Sequence, residues 1–301
     1  MAPAAGAGAG AVRRALLVGA NYAGTARELR GCVDDARCVK DVLLSRYGYA
    51  PEHVRLLADA PGTDPDFAPT GANLRASLAW LVAGARPGDR LVFFYSGHGE
   101  SLPDAEGAGE GAGGADEADG ADEALSLPDG TCVRDDELRE RLFARVPPGV
   151  KLAAIFDCCH SGTVADLRYS FRPAPAPAAG APGRLEMAEE PGGLAAAAAV
   201  AGDVLCMSAC LDAQAAADGA FGGKWVCAPD GRRTFEWARH NGAFTYFLLQ
   251  ALRDGGAGGA GGAGALGLLR AVASRLRAAG FAQTPCLSCA RLASASGVLL
   301  P

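Results

Sequence analysis

Two short stretches set reactive side chains among glycines. "YSGHG" (95–99) places His98 between Gly97 and Gly99, and "FDCCHSG" (156–162) places Cys158 and Cys159 ahead of His160 and Gly162. A thiol attacks well only as its thiolate, and a free cysteine with a pKa of about 8.5 is mostly protonated at neutral pH. A nearby imidazole can take that proton and later return it to a leaving amine. The glycines let the chain bend sharply beside each reactive group, and Gly99 offers an uncovered N–H to a developing oxyanion. Two other readings stay open on the residues alone: half of a zinc site, or small apolar residues at the end of a buried strand, as free cysteines often are. The zinc reading is short of ligands. Cys158 and Cys159 are adjacent, which strains bidentate ligation; the CxxC of Cys286 and Cys289 has no matching second pair; Cys206 and Cys210 fall on a predicted strand. The strand-end reading weakens because two such ends, each flanked by glycine, occur in one chain.

The elements that must position these groups are legible in the apolar pattern. Runs at 14–22, 53–59, 90–99, 150–159 and 203–210 predict strands. Spacing near 3.6 predicts helices over 31–48, ending at Gly48, over 70–85 with Thr70 as N-cap, and over 135–146, 242–252 and 266–280. Alternating strand and helix, with strands that are apolar throughout, is the pattern of a parallel sheet covered on both faces. Sites in such sheets form beyond the carboxyl ends of strands. His98 and Cys159 each follow a predicted strand, so the two are expected to face one crevice. Stretches 1–11, 104–121, 173–201 and 254–265 are rich in Ala, Gly and Pro and predict a tail and three surface loops.

The chain has 301 residues, half of them hydrophobic, and a net charge of -6. Much of the negative charge lies in 100–123, and no Lys/Arg-rich run is present, which argues against nucleic-acid binding. No run of about 20 strongly apolar residues suggests a membrane span. The N-terminal "MAPAAGAGAGAVRR" lacks the apolar region of a signal peptide, so the 10 cysteines are expected to be free thiols in a reducing, cytoplasmic setting, with organelle targeting left open.

These blocks resemble the histidine and cysteine blocks of the metacaspases, cysteine peptidases of the caspase-like group. The similarity runs through "LLVGANYAGTARELRGCVDDA" (16–36), "LVFFYSGHG" (91–99), "VRDDELRERL" (133–142), "KLAAIFDCCHSGTVADL" (151–167), "GDVLCMSACLDAQAAAD" (202–218) and "GFAQTPCLS" (280–288). It implies a three-layer α/β/α sandwich with a mostly parallel central sheet. Within one catalytic domain it implies a tail (1–12), a large-subunit-like region (13–170), a flexible linker (171–201) and a small-subunit-like region (202–301), as in type I members without the usual N-terminal prodomain. The nucleophile directly precedes His-Ser-Gly and is therefore Cys159; Cys158 occupies a position that is often serine. His98 would be the base and the Gly99 N–H an oxyanion donor. Cys32, Asp35, Ser96 and Asp157 would line the first substrate pocket, where two carboxylates favour Arg or Lys. Taken singly, Asp35 reads as a solvated acid in a helix's first turn and Asp157 as a strand-end carboxylate on turn amides.

The acid-rich stretch alone reads as a solvated loop without EF-hand spacing, but the resemblance implies a Ca²⁺ activator held by Asp122, Asp135, Asp136 and Asp166. An acidic pocket would accept Arg168, Arg172 or Arg184 of the linker for self-cleavage. Pro173 follows Arg172 and lacks an N–H, and Arg168 adjoins Asp166, which leaves Arg184. The expectation is a monomeric, Ca²⁺-dependent endopeptidase that cuts proteins or peptides after Arg or Lys. The alternative is a non-catalytic caspase-like interaction scaffold; retention of both Cys159 and His98 favours the enzyme.

Overall fold

The computed structural model describes residues 10–103, 121–159, 165, 167–174, 184–190, 200–210, 218–219, 222–227, 233–238, 241–254 and 264–300. Its strands are β1 (Arg13–Gly19), β2 (Val54–Ala58), β3 (Arg90–Ser96), β4 (Gly99–Pro103), β5 (Ala121–Ser126), β6 (Cys132–Arg134), β7 (Lys151–Asp157), β8 (Tyr169–Pro173), β9 (Leu185–Glu189), β10 (Asp203–Ser208), β11 (Asp218–Gly219), β12 (Gly222–Cys227), β13 (Arg233–Ala238), β14 (Asn241–Gly242) and β15 (Cys286–Cys289). Its main helices are α1 (Cys32–Arg46), α2 (Gly71–Val82), α3 (Asp135–Arg141), α4 (Ala243–Arg253) and α5 (Ala265–Ala278).

Eight strands form one sheet in the order β2-β1-β3-β7-β10-β15-β8-β9. The first five run parallel, and β15, β8 and β9 add antiparallel pairings. Successive residues of a strand point to opposite faces, and here both faces are dry. Val92 and Phe94 of β3 join Ala153 and Ile155 of β7 in one core, closed by Val39 and Leu43 of α1, Phe244 and Leu248 of α4, and Leu268 and Val272 of α5. Leu91, Phe93 and Tyr95 join Leu152, Ala154 and Phe156 in the other, under Leu74 and Leu78 of α2 and Leu138 of α3. This is the expected α/β/α sandwich.

Local signals act where the sequence places them. The Thr70 hydroxyl accepts the Asn73 N–H at 3.2 Å and starts α2. Gly48, at φ +67, takes the left-handed position just past α1. Arg75 of α2 forms a bidentate pair with Glu137 of α3 at 2.6 and 2.9 Å, joining the two helices.

Two expectations are corrected. The strand predicted over 90–99 stops at Ser96, turns at Gly97–His98 and resumes as β4, which pairs with β5 and β6 in a separate antiparallel sheet. The linker expected at 171–201 contains β9, and its first residues belong to β8, so the boundary at 170 falls inside a strand. Composition averaged over a Pro/Ala-rich stretch hides two short strands whose partners are distant: Phe171 pairs with Leu287 and, on its other side, with Met187. The CxxC of Cys286 and Cys289 is β15 itself; three residues apart on a strand, its side chains point to opposite faces and cannot share a metal. Every cysteine with a described side chain is a free thiol. Among the described residues no helix is long and apolar enough to cross a membrane.

Candidate active site

Gly19, Ser96 and Asp157 stand in register, so β1, β3 and β7 end at one level. His98 and Cys159 follow the last two of these ends. The Gly97 N–H reaches the Asp157 carbonyl at 3.4 Å. Gly99 lies so close to the Cys159 carbonyl that any side chain at 99 would collide with it. The histidine turn and the cysteine turn therefore touch, and glycine permits the approach. The two sulfurs separate cleanly. Cys158 follows Phe156 into the apolar core, 1% exposed, and its carbonyl accepts the Cys210 thiol at 3.2 Å. Cys159 is half-buried at the crevice.

His98 is held at nearly every polar atom. Its N–H donates to the Tyr22 hydroxyl at 3.0 Å, and its carbonyl accepts the Ser126 N–H at 3.1 Å and lies 2.8 Å from the Tyr95 hydroxyl. Ring Nε2 lies 2.8 Å from the Arg27 carbonyl. A carbonyl can only accept, so Nε2 carries the proton and Nδ1 is the basic nitrogen. Arg27 is fastened in turn by an ion pair to Glu100 at 2.5 Å and a hydrogen bond to Ser126 Oγ at 3.0 Å.

The expected pocket residues also converge. Asp35, Ser96, Asp157 and Cys32 are all buried. Asp35 Oδ2 accepts from Ser96 Oγ and from the Gly242 N–H, each at 3.0 Å, and Oδ1 from Asn241 Nδ2 at 2.7 Å. Asp157 Oδ2 accepts from the Thr245 N–H at 3.0 Å and its hydroxyl at 2.7 Å. Burial, and then the charge of Asp157, push the Asp35 carboxyl well above the usual carboxylate range. Asn241, Gly242 and Thr245 carry little mark of this role in the sequence. The signal for them was faint: a Gly and a Thr opening a predicted helix, where the first N–H groups favour a negative charge.

Of the four acids expected to bind calcium, Asp166 and the Asp122 side chain lie outside the described residues. Asp135 is buried at the start of α3, where Oδ2 accepts the Glu123 N–H at 3.0 Å and Oδ1 the Asp136 N–H at 2.7 Å. Asp136 Oδ1 is shielded from solvent, accepts no well-formed hydrogen bond and sits against the Arg139 guanidinium in an ion pair. The Asp135 contact brings the start of α3 beside β5, the strand that carries Asp122. Two adjacent carboxylates at the start of α3 offer the hard oxygen ligands that Ca²⁺ takes, and a cation there would have to displace Arg139 from Asp136 Oδ1. The described residues alone gather no metal-binding group of three or more. Arg184 is exposed immediately before β9, and its carbonyl accepts the Ala174 N–H at 2.8 Å.

The layers and the meeting of a histidine turn and a cysteine turn at adjacent strand ends define a caspase-like protein. The solved structure of protein GSU0716 from Geobacter sulfurreducens shares the fold, with a TM-score of 0.60 over 95% of this chain and 97% of that one at 24% identity. Residues 13–168 match the family model "Metacaspase, peptidase C14 domain". Metacaspase-1 of Kluyveromyces lactis is 43% identical over 159 residues, and Metacaspase-1A of Neurospora crassa 39% identical over 159. Each alignment covers 53% of this chain, but only 35% and 34% of those relatives. The chain belongs to the metacaspase family.

Proposed function

We propose that this chain is a calcium-activated cysteine endopeptidase cutting after arginine or lysine. The observation that carries the reading is the His98 tautomer: Nε2–H is committed to the Arg27 carbonyl beside a half-buried Cys159, which leaves Nδ1 as the base. In this reading His98 Nδ1 takes the Cys159 thiol proton, and the thiolate adds to the scissile carbonyl. The Gly99 N–H helps hold the oxyanion. The imidazolium then protonates the leaving amine, and a thioester remains. Water, deprotonated by His98, hydrolyses it and frees Cys159. The substrate's cationic side chain enters beside Asp35 and Asp157, with Ser96 and Cys32 as further lining.

Asp122, Asp135, Asp136 and Asp166 would hold the calcium ion. A bound divalent cation would supply positive charge that holds these carboxylates together; Mg²⁺ should substitute poorly, since it demands tighter octahedral geometry. Self-cleavage after Arg184 is part of the reading. Because a protease threads an extended chain, β9 must first peel from β8 at the sheet edge. The enzyme is read as a cytoplasmic monomer acting on proteins or peptides; Glu186 and Glu189 place charge on the edge strand β9, which discourages edge-to-edge pairing. The test is turnover of a fluorogenic arginine peptide. Activity in Ca²⁺ that vanishes in Cys159→Ala supports the reading. Full activity in excess chelator removes the calcium part, and no turnover with any basic peptide favours the scaffold alternative.

A further inference from the structure

Tyr22 is, among the described residues, the non-glycine residue with positive φ, at +55. A bulky aromatic residue in the left-handed region is strained and persists only when its surroundings over-determine it. They do so here. Asp59 accepts the main-chain N–H groups of Asn21 and Tyr22 at 2.7 and 2.5 Å, which fixes the turn after β1. The Asn21 side chain accepts the Val33 N–H at 3.2 Å and ties the same turn to the start of α1. The turn aims the phenol inward, 3% exposed, at the one residue whose placement the chemistry requires. Tyr22 Oη accepts the His98 N–H at 3.0 Å and donates to the Ser126 carbonyl at 2.5 Å. The Tyr22 and His98 rings pack with centroids 4.6 Å apart at 50°. Arg27, whose carbonyl takes Nε2–H, lays its guanidinium over the other partner of that pair, 5.5 Å from the Tyr22 ring centroid. Tyr95 Oη completes the cluster, 3.2 Å from Tyr22 Oη and 2.6 Å from the Ser126 carbonyl.

We propose that Tyr22 is a positioning residue for His98: its strained main chain and buried phenol fix the imidazole so that Nδ1 meets the Cys159 thiol. The assignment rests on the reading of His98 as the base. Tyr22 is bonded to the histidine turn, so on this reading it acts on turnover more than on substrate affinity. Burial pushes its phenol up to about 12, so it stays a neutral donor and acceptor across the working pH range. Small displacements of a positioned group are costly, with about a hundredfold in rate for roughly 1 Å.

The experiment compares wild type, Tyr22→Phe and Asp59→Asn. Tyr22→Phe removes only the hydroxyl; Asp59→Asn loosens the turn and keeps the phenol. Two readouts are taken: kcat and KM on an arginine peptide, and the pH dependence of iodoacetamide alkylation at Cys159, which needs no substrate. In wild type, alkylation at neutral pH is expected to be faster than that of a free cysteine, because His98 takes the thiol proton. Tyr22→Phe is expected to slow that alkylation toward the rate of a free cysteine and to lower kcat by about ten- to a hundredfold with KM little changed. Asp59→Asn shifts both in the same direction by less. A merely structural role would lower the melting temperature and leave the alkylation profile in place. Superposed wild-type and Tyr22→Phe profiles would overturn the assignment and leave the dyad standing. Wild-type alkylation no faster than that of a free cysteine would remove the dyad, and this proposal with it.

Discussion

Adjacent cysteines receive opposite fates from one strand's alternation. Cys158 continues the inward face of β7, while Cys159 lies past the strand at the crevice. Cys159→Ala is therefore expected to abolish peptide hydrolysis with an unchanged melting temperature. Cys158→Ser is expected to keep activity but lower stability by about 1–3 kcal/mol, the cost of placing a hydroxyl in an apolar site; equal loss of turnover in both variants would reassign the nucleophile. On the proposed reading, Asp35 is the residue where function opposes stability. Its carboxyl is raised by burial and by Asp157, so its contribution to stability is fully present at acid pH, below the ordinary carboxylate value, and is lost as pH rises through the raised value. Asp35→Asn removes that loss. The variant should melt at or above the wild-type temperature at pH 8, with the advantage shrinking toward pH 5, while arginine-peptide turnover collapses. A melting point well below wild type at pH 8 would contradict this account.

Among the elements, the small sheet β4-β5-β6 does two jobs from one strand. One end of β5 gives the Ser126 carbonyl and N–H to the histidine cluster, and the other brings Glu123 against Asp135. The two described calcium candidates therefore differ. Asp135 holds two backbone N–H groups, so replacing it disturbs the start of α3 as well as any ion; among the described residues the Asp136 carboxylate holds an ion pair with Arg139 alone. Asp136→Asn is expected to raise the Ca²⁺ concentration needed for half-maximal turnover at least tenfold with an unchanged melting temperature, and Asp135→Asn to raise it and also lower the melting temperature. Calcium titrations of activity beside thermal melts distinguish them, and an unaltered calcium response in Asp136→Asn would remove that residue from the set.

At the scale of the molecule, the sheet interleaves the two halves of the chain. A cut after Arg184 would leave β7 and β8 on one fragment and β9, β10 and β15 on the other, yet β10 pairs with β7 and β15 with β8. The proposed pocket crosses the same divide, since Asp35 and Asp157 take donors from Asn241, Gly242 and Thr245. Fragments produced by self-cleavage should therefore stay together as one particle, separating only in denaturant. Native mass spectrometry of the calcium-treated enzyme reads this directly, and free fragments under native conditions would refute it.

Periodicity and end signals alone determined the parallel core, α1, α2, α4 and α5, because those patterns are local and each strand is apolar on both faces. The sequence also marked His98 and Cys159, since glycines beside a histidine and a cysteine at two strand ends need no knowledge of distance. What it could not decide depends on pairing between remote residues. β8, β9 and β15 are too short and too mixed in composition to declare themselves; each becomes a strand only when a partner far along the chain supplies the other half of its hydrogen bonds. The roles around the site are remote in the same way. Tyr22 meets His98 and Ser126, and Gly242 meets Asp35, 207 positions away; only the packed sheet brings such groups within hydrogen-bond reach.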